Sequence, residues 1–195
     1  MDEKDQIILE DSIHAILSNI PGLNIAWGLS TALYGSALKL RQKKVLEWVE
    51  MVRDNPNIFV TDLLQNEFFQ DGFAYSLEKY VVERNEEKRK YFRNIFLGFS
   101  SSNDMQNFPL EKFVHTLSQL GKVDVTVLGD VNIMQQDSEY QIYGNENHKL
   151  IYIYNLINLG ILSTSPTTRY GPIHAPFVRV SAFGGEFIKY IKDEK

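Results

Sequence analysis

The chain has 195 residues, of which 44% are hydrophobic and 12% aromatic, so it is long enough to bury a sizeable core. Its formal net charge of −5 argues against a general affinity for polyanions, although a local basic patch stays open. The absence of cysteine excludes disulfides, thiolate nucleophiles and zinc knuckles, and it fits a reducing compartment. The acidic start, Met1 to Asp5, is unlike a signal peptide, and we expect a cytoplasmic protein.

The segment from Ser12 to Leu38 contains no Lys, Arg, Asp or Glu, and four cations follow between residues 39 and 44. An uncharged run with a basic end is typical of a membrane segment, which leaves a span or an interfacial helix as an alternative for residues 12–38. Polar side chains and the Pro21-Gly22 pair interrupt the run. We therefore favour a buried helix that begins near Pro21.

Small residues form a stripe along this first helix, because three of them recur at four-residue spacing: Gly28, Ala32 and Ser36. Such a stripe lets two helix backbones approach closely, in soluble cores as well as in membranes. We predict that the stripe is part of a partner-binding surface and that the chain associates with itself.

The first two helices of the N-terminal region are bounded by turn residues. The first continues from the uncharged segment on a helical period until residues 54–57, Asp-Asn-Pro-Asn, stop it. Asn55 and Pro56 then supply a cap and a first-turn proline for the second helix. We predict that the second helix buries Phe68 and ends at Asp71-Gly72.

The third predicted helix runs from Phe73 to Phe99 and has apolar ends. Its middle, residues 83–90, is almost entirely charged, and we interpret it as a solvated face between two packed ends. The alternative is a basic face for phosphates, to which four side chains would contribute: Arg84, Lys88, Arg89 and Arg93.

A small polar segment, Ser100 to Asp104, predicts the domain boundary. We predict an N-terminal helical region at 1–99, a linker at 100–104 and a second domain at 105–195. In the second domain, Pro109 opens a helix that Gly121 ends, and residues 122–131 form either a helix or a strand, of which we favour the helix. Residues 135–144 are predicted to be a polar loop.

The rest of the second domain has a recognisable order of elements. A helix from Asn145 to Leu159 ends in Leu-Gly-Ile-Leu, a segment rich in Ser, Thr, Pro and Gly follows, and Phe177-Val-Arg-Val precedes a closing Phe-Gly-Gly-Glu-Phe-Ile. The order of helix, helix, helix, strand, hairpin loop, strand and helix resembles the winged helix-turn-helix superfamily from Pro109 to Ile191. This resemblance implies a mainly α fold with a small β hairpin, and it implies binding to duplex DNA or to another protein.

The helix at the recognition position discriminates between these two functions. We predict a buried stripe made of Leu150, Ile153, Tyr154 and Ile157. The predicted partner-binding face opposite carries His148, Tyr152, Asn155 and Leu159. A helix that reads DNA should present Arg, Lys, Asn or Gln to base edges with further cations nearby, but this one has a single lysine.

We therefore predict a self-associating protein-interaction function. The alternative is a DNA-binding transcriptional regulator, in which the phosphate contacts would come from Lys149, Arg169 and Arg179. The sequence contains no P-loop, no G-x-S-x-G elbow and no H-E-x-x-H motif, and its four histidines are scattered. We expect no enzymatic activity, no cofactor and no metal site.

Overall fold

The structure is a computed structural model that describes residues 35–55, 57–59, 63, 66–101, 109–134, 140–141, 148–164 and 177–191. The fold is mainly α with a small β hairpin, which confirms the predicted fold class. The chain divides into two compact units, Met1–Ser118 and Gln119–Lys195.

The regular elements in the described part of unit 1 are all helices. These are α1 (Gly35–Arg53), α2 (Glu67–Val82), α3 (Glu86–Ser101) and α4 (Leu110–Gln119), the last of which runs to the boundary between the units. Unit 2 contains, in chain order, α5 (Lys122–Met134), β1 (Tyr140–Gln141), α6 (Leu150–Asn158), β2 (Leu162–Thr164), β3 (Phe177–Val180) and α7 (Ala182–Ile191).

The core of unit 1 is a cluster of aromatic rings around Phe96 of α3, which is 1% exposed. The centroid of the Phe96 ring lies 5.2 Å from that of Trp48 on α1 and 5.6 Å from that of Phe73 on α2. The rings of Phe59 and Phe69 complete the cluster, with centroids 5.8 and 5.6 Å from that of Phe96. Apolar residues at helical spacing on three helices thus bury one common set of side chains.

The second predicted helix is wrong in two respects. Helix α2 begins at Glu67 and is capped by Asn66, whose side chain accepts a hydrogen bond from the Phe69 amide, so Asp71 and Gly72 lie inside it. A Cβ at Gly72 would lie 2.9 Å from Leu110 Cδ2, so the missing side chain permits close packing and does not end the helix. Phe68 was predicted to be buried but is 87% exposed.

The third predicted helix is also wrong, because it is two helices. Residues Glu83 to Asn85 are not helical, and α3 starts at Glu86. Asn85 Oδ1 accepts hydrogen bonds from the amides of Glu87 and Lys88 at 2.9 and 3.3 Å, which makes Asn85 the N-terminal cap of α3. The charged middle therefore contains a helix break at residues 83–85, and Lys88, in the first turn of α3, is only 6% exposed.

The predicted linker overlaps a helix. Ser100 and Ser101 belong to α3, and Ser100 Oγ donates to the carbonyl of Phe96 at 2.8 Å. The compact units meet between Ser118 and Gln119, whereas the sequence placed the boundary at 100–104. The division into domains at 1–99 and 105–195 stays a prediction.

Unit 2 confirms the predicted end of the recognition-position helix. Gly160 has φ +76°, its amide donates to Ile157 O, and the Ile161 amide donates to Leu156 O at 3.0 Å. This is a Schellman motif, which needs a left-handed residue that glycine adopts at no steric cost. Leu156 and Ile161 are both fully buried, so the Leu-Gly-Ile segment directs the chain into β2.

The sheet has the strand order β1-β3-β2 and both pairings are antiparallel. Leu162 pairs with Val180, and Tyr140 pairs with Val178. Residues 135–144 were predicted to be loop, so the short strand β1 is a correction. Helices, hairpin strands and closing helix otherwise follow the predicted order from Leu110 to Ile191.

The start of α7 is fixed against the end of α6. Ser181 Oγ accepts from the Gly184 amide at 2.8 Å and donates to the Gly160 carbonyl at 2.5 Å. A Cβ at Gly184 would collide with the Ile161 carbonyl. Close packing inside the first turn of α7 therefore explains Gly184, whereas a Cβ at Gly185 would meet no atom within 4 Å.

Candidate functional site

Helix α6 is held by polar contacts to α5. Asn155 Nδ2 donates to Asp124 Oδ1 at 3.0 Å, and Lys149 Nζ lies 3.2 Å from Asp130 Oδ2. Asp124 is 6% exposed, and its other oxygen accepts from the Gly121 amide at 2.6 Å, which caps α5. One buried carboxylate thus caps one helix and fixes the register of the other.

The outward side of α6 presents apolar groups to solvent. Ile151 is 71% exposed and Tyr154, three residues later on the same face, is 51% exposed. His148 and Asn158 are also exposed, so we call these four residues, His148, Ile151, Tyr154 and Asn158, the α6 face. Ile153 and Leu156 on the opposite side are fully buried.

The predicted orientation of this helix is wrong at two positions. Tyr154 was placed in the buried stripe and is exposed, whereas Leu156 was not included in that stripe and is fully buried. A Schellman motif is frequently accompanied by an apolar contact between the two residues that its longer hydrogen bond joins, and here those residues, Leu156 and Ile161, are both fully buried. The helix is therefore rotated relative to the prediction.

The predicted partner-binding residues are only partly brought together. His148 is exposed, whereas Tyr152, Asn155 and Leu159 are half-buried, and Asn155 is already bound to Asp124. Gly28 and Ala32 lie outside the described residues, and Ser36 lies in α1 with a side chain outside them. Partner binding by this set stays a prediction.

The three residues predicted to contact DNA phosphates have different environments. Lys149 is paired with Asp130, and Arg179 on β3 is exposed, with its Nε 3.4 Å from Ser163 Oγ. Arg169 lies outside the described residues. Lys149 is thus partly neutralised where a phosphate contact was predicted.

A second polar cluster surrounds the break between α2 and α3, and the sequence did not predict it. Lys44 of α1 is 4% exposed and donates to the carbonyls of Val81 and Glu83 at 2.8 and 2.5 Å. Glu83 is paired with Lys88 at 2.7 Å. Lys44 thereby neutralises the carbonyls at the C-terminal end of α2, where a helix dipole is negative.

The ionisable groups of this cluster have shifted pKa values. Burial lowers the pKa of Lys44, and the nearby Arg89 lowers it further. Burial acts to raise the pKa of Glu83, but hydrogen bonds from Lys88 and from the Asn85 amide outweigh burial and lower it. Burial and the hydrogen bond to Glu47 raise the pKa of Tyr80 to about 12.

Membrane-spanning and metal-binding features are both missing from the described part of the chain. None of its helices combines the length and the hydropathy that are needed to cross a bilayer. Most of segment 12–38 lies outside that part. Among the same residues, no three His, Asp or Glu side chains are grouped so that they could hold a metal ion.

Comparison with known proteins shows a partial similarity. The chain is 26% identical over 119 residues to proteins named "Probable cell division protein WhiA" from Clostridium perfringens strains SM101, ATCC 13124 and 13. The match covers 59% of this chain and 34% of each relative, so the chain spans about a third of the length of the curated relatives it matches. No protein-family model matches the chain, and no solved structure matches it.

Proposed function

We propose that the chain is a non-enzymatic interaction protein that self-associates through the α6 face. The observation that carries the proposal is the exposure of Ile151 and Tyr154 on one face of a helix whose register is fixed. Aromatic and aliphatic side chains at the centre of a patch dominate the energetics of protein interfaces. Their removal from water would stabilise a complex.

A second copy of the chain is the occupant that suits this face. In a two-fold symmetric dimer the same surface contacts itself, so each charge near the axis would meet a like charge. The exposed residues of α6 itself are Ile151, Tyr154 and Asn158, and none of them is charged. An uncharged apolar face satisfies the symmetry without repulsion.

DNA reading by the same face is the less favoured function. Base edges are read by hydrogen-bonding side chains supported by cations on phosphates. Lys149 beside the face is engaged by Asp130, and the face offers Ile151 where a polar group would be needed.

Because the relatives are named as probable cell division proteins, we propose cell division as the process in which to seek the role of the self-association.

Ile151→Glu is expected to raise the dissociation constant of the dimer by about 100-fold, because two like charges would be buried near the symmetry axis. Sedimentation equilibrium over a range of protein concentrations measures the change. Val123→Glu is the matched control, since Val123 is a 46% exposed apolar residue on α5 in the same unit. A wild-type chain that stays monomeric, or an equal effect of both substitutions, would contradict the proposal.

A further inference from the structure

Cations converge where α1 lies against the end of α2. The hydrogen bonds from Lys44 Nζ to the Val81 and Glu83 carbonyls bring this turn of α1 to the helix break. Arg41 is exposed and precedes Lys44 by one helical turn. Arg41 and Arg89 are both near enough to Lys44 to lower its pKa.

Helix α3 contributes two more arginines to the same region. Arg89 and Arg93 are four residues apart and therefore lie on one face of α3, about 6 Å from each other. Both lie near the Tyr80 hydroxyl of α2 and influence its ionisation. Arg89 Nη1 also lies 3.4 Å from the Arg84 carbonyl, which restricts its side chain.

Two carboxylates of this region, those of Glu83 and Glu47, are already engaged by other groups. Glu83 is paired with Lys88 at 2.7 Å, while Glu47 accepts a hydrogen bond from Tyr80 and lies 3.8 Å from Lys43. In the described residues, no salt bridge joins Arg41, Arg89 or Arg93 to a carboxylate. These three guanidinium groups therefore remain outside the ion pairs of this region, on a chain whose net charge is −5.

We propose that Arg41, Arg89 and Arg93 form a binding surface for the phosphate backbone of nucleic acid, which we call the arginine surface. A guanidinium group matches phosphate oxygens with two parallel hydrogen bonds and keeps its charge at all physiological pH values. Duplex DNA supplies a regular row of phosphates for arginines spaced one turn apart. The surface lies in unit 1, so it goes beyond the self-association proposed for α6.

Nucleic acid suits this surface better than an anionic membrane does. Arg89 and Arg93 are half-buried, and Arg89 is held by the Arg84 carbonyl. Interfacial helices instead use exposed basic side chains that flank a continuous apolar face. Binding to anionic lipid vesicles is therefore an outcome that would contradict the proposal if DNA binding were absent.

The test is binding of the purified full chain to a fluorescein-labelled, mixed-sequence DNA duplex between about 50 and about 200 mM salt, followed by anisotropy. The variant is Arg41→Gln/Arg93→Gln. Neither side chain makes a hydrogen bond or salt bridge within the described residues, so the fold should persist. The control, Arg53→Gln/Lys79→Gln, removes the same charge from the same unit outside the arginine surface.

We expect the variant to bind about tenfold or more weakly than wild type at the lowest salt. The slope of log affinity against log salt should fall by about 2, because each phosphate contact contributes about 0.9. The control should bind nearly as wild type. Equal losses in variant and control, an unchanged variant, or wild-type binding to phosphatidylserine vesicles without DNA binding would each overturn the proposal.

Discussion

Phe96→Ala is expected to lower the free energy of unfolding by about 3 to 5 kcal/mol. Phe96 is 1% exposed, and its ring lies within 6 Å of four other aromatic rings from three parts of unit 1. Truncation removes the apolar surface of the ring and leaves a cavity that rigid neighbours cannot fill. Urea denaturation followed by tryptophan fluorescence measures the loss, because Trp48 contacts the same ring.

Phe68→Ala is the matched control for this prediction. It deletes the same side chain from the first turn of α2, where Phe68 is 87% exposed, and it should change the stability by no more than about 0.5 kcal/mol. A similar loss of stability in the two variants would show that the Phe96 cluster is not the core.

Lys88→Met is expected to lower the free energy of unfolding by about 2 to 4 kcal/mol, because it leaves the Glu83 carboxylate with 17% side-chain exposure and without its ion pair. The double variant Glu83→Gln/Lys88→Met should cost less than Lys88→Met alone, because it removes the Glu83 charge together with that of its partner. The carboxamide that Glu83→Gln introduces would retain an oxygen that accepts from the Asn85 amide. Thermal and urea denaturation of the three proteins measure this coupling.

The same pair gives a pH dependence of known sign. Lys88 and the Asn85 amide lower the pKa of Glu83, so the folded state binds its proton more weakly than the unfolded state does. This stabilisation is complete above the ordinary glutamate pKa of about 4.5. It is lost as the pH falls through the lower pKa that Glu83 has in the folded state. Wild type should therefore lose stability over this acidic range more steeply than the double variant. Parallel acid curves would contradict the pairing.

The two packed, apolar ends on either side of residues 83–90 could be predicted from the sequence, but the break between α2 and α3 was missed. The apolar C-terminal end that was predicted for the third helix is buried in α3, where it includes Phe96. The charged residues at 83–90 were interpreted as a solvated face because an analysis of helical periodicity assigns every charged side chain to the exposed side. Lys44 and Lys88 are buried because carbonyls and Glu83 compensate them, and these partners are brought together only by tertiary packing.

A local signal for the break was nevertheless present. Asn85 followed by Glu86 and Glu87 is an N-terminal cap with acidic residues in the first turn, which is typical of a helix start. At Asp71-Gly72 the error was the opposite one: a helix end was predicted where the helix continues, because a pair that is typical of turns lies inside α2. Its glycine lies close to Leu110 Cδ2, a contact that is distant in sequence.

In unit 2 the signals with a fixed local geometry were the reliable ones. Leu159-Gly160 correctly marked a helix end, because the Schellman motif is encoded within about six residues. Strand β1 has only two residues and shows no alternation, so it could not be recognised in a polar segment. The orientation of α6 was missed because nine residues that are mostly apolar all round give no clear buried stripe.

A cross-linking measurement tests the proposed self-association through α6 most directly. The chain contains no cysteine, so Tyr154→Cys introduces a single thiol on the α6 face and Val123→Cys introduces one on α5. With a short bis-maleimide at micromolar protein, we expect that Tyr154→Cys forms a covalent dimer, that Val123→Cys stays largely monomeric, and that urea abolishes the difference. Equal dimer formation by the two variants, or none by Tyr154→Cys, would contradict self-association through this face.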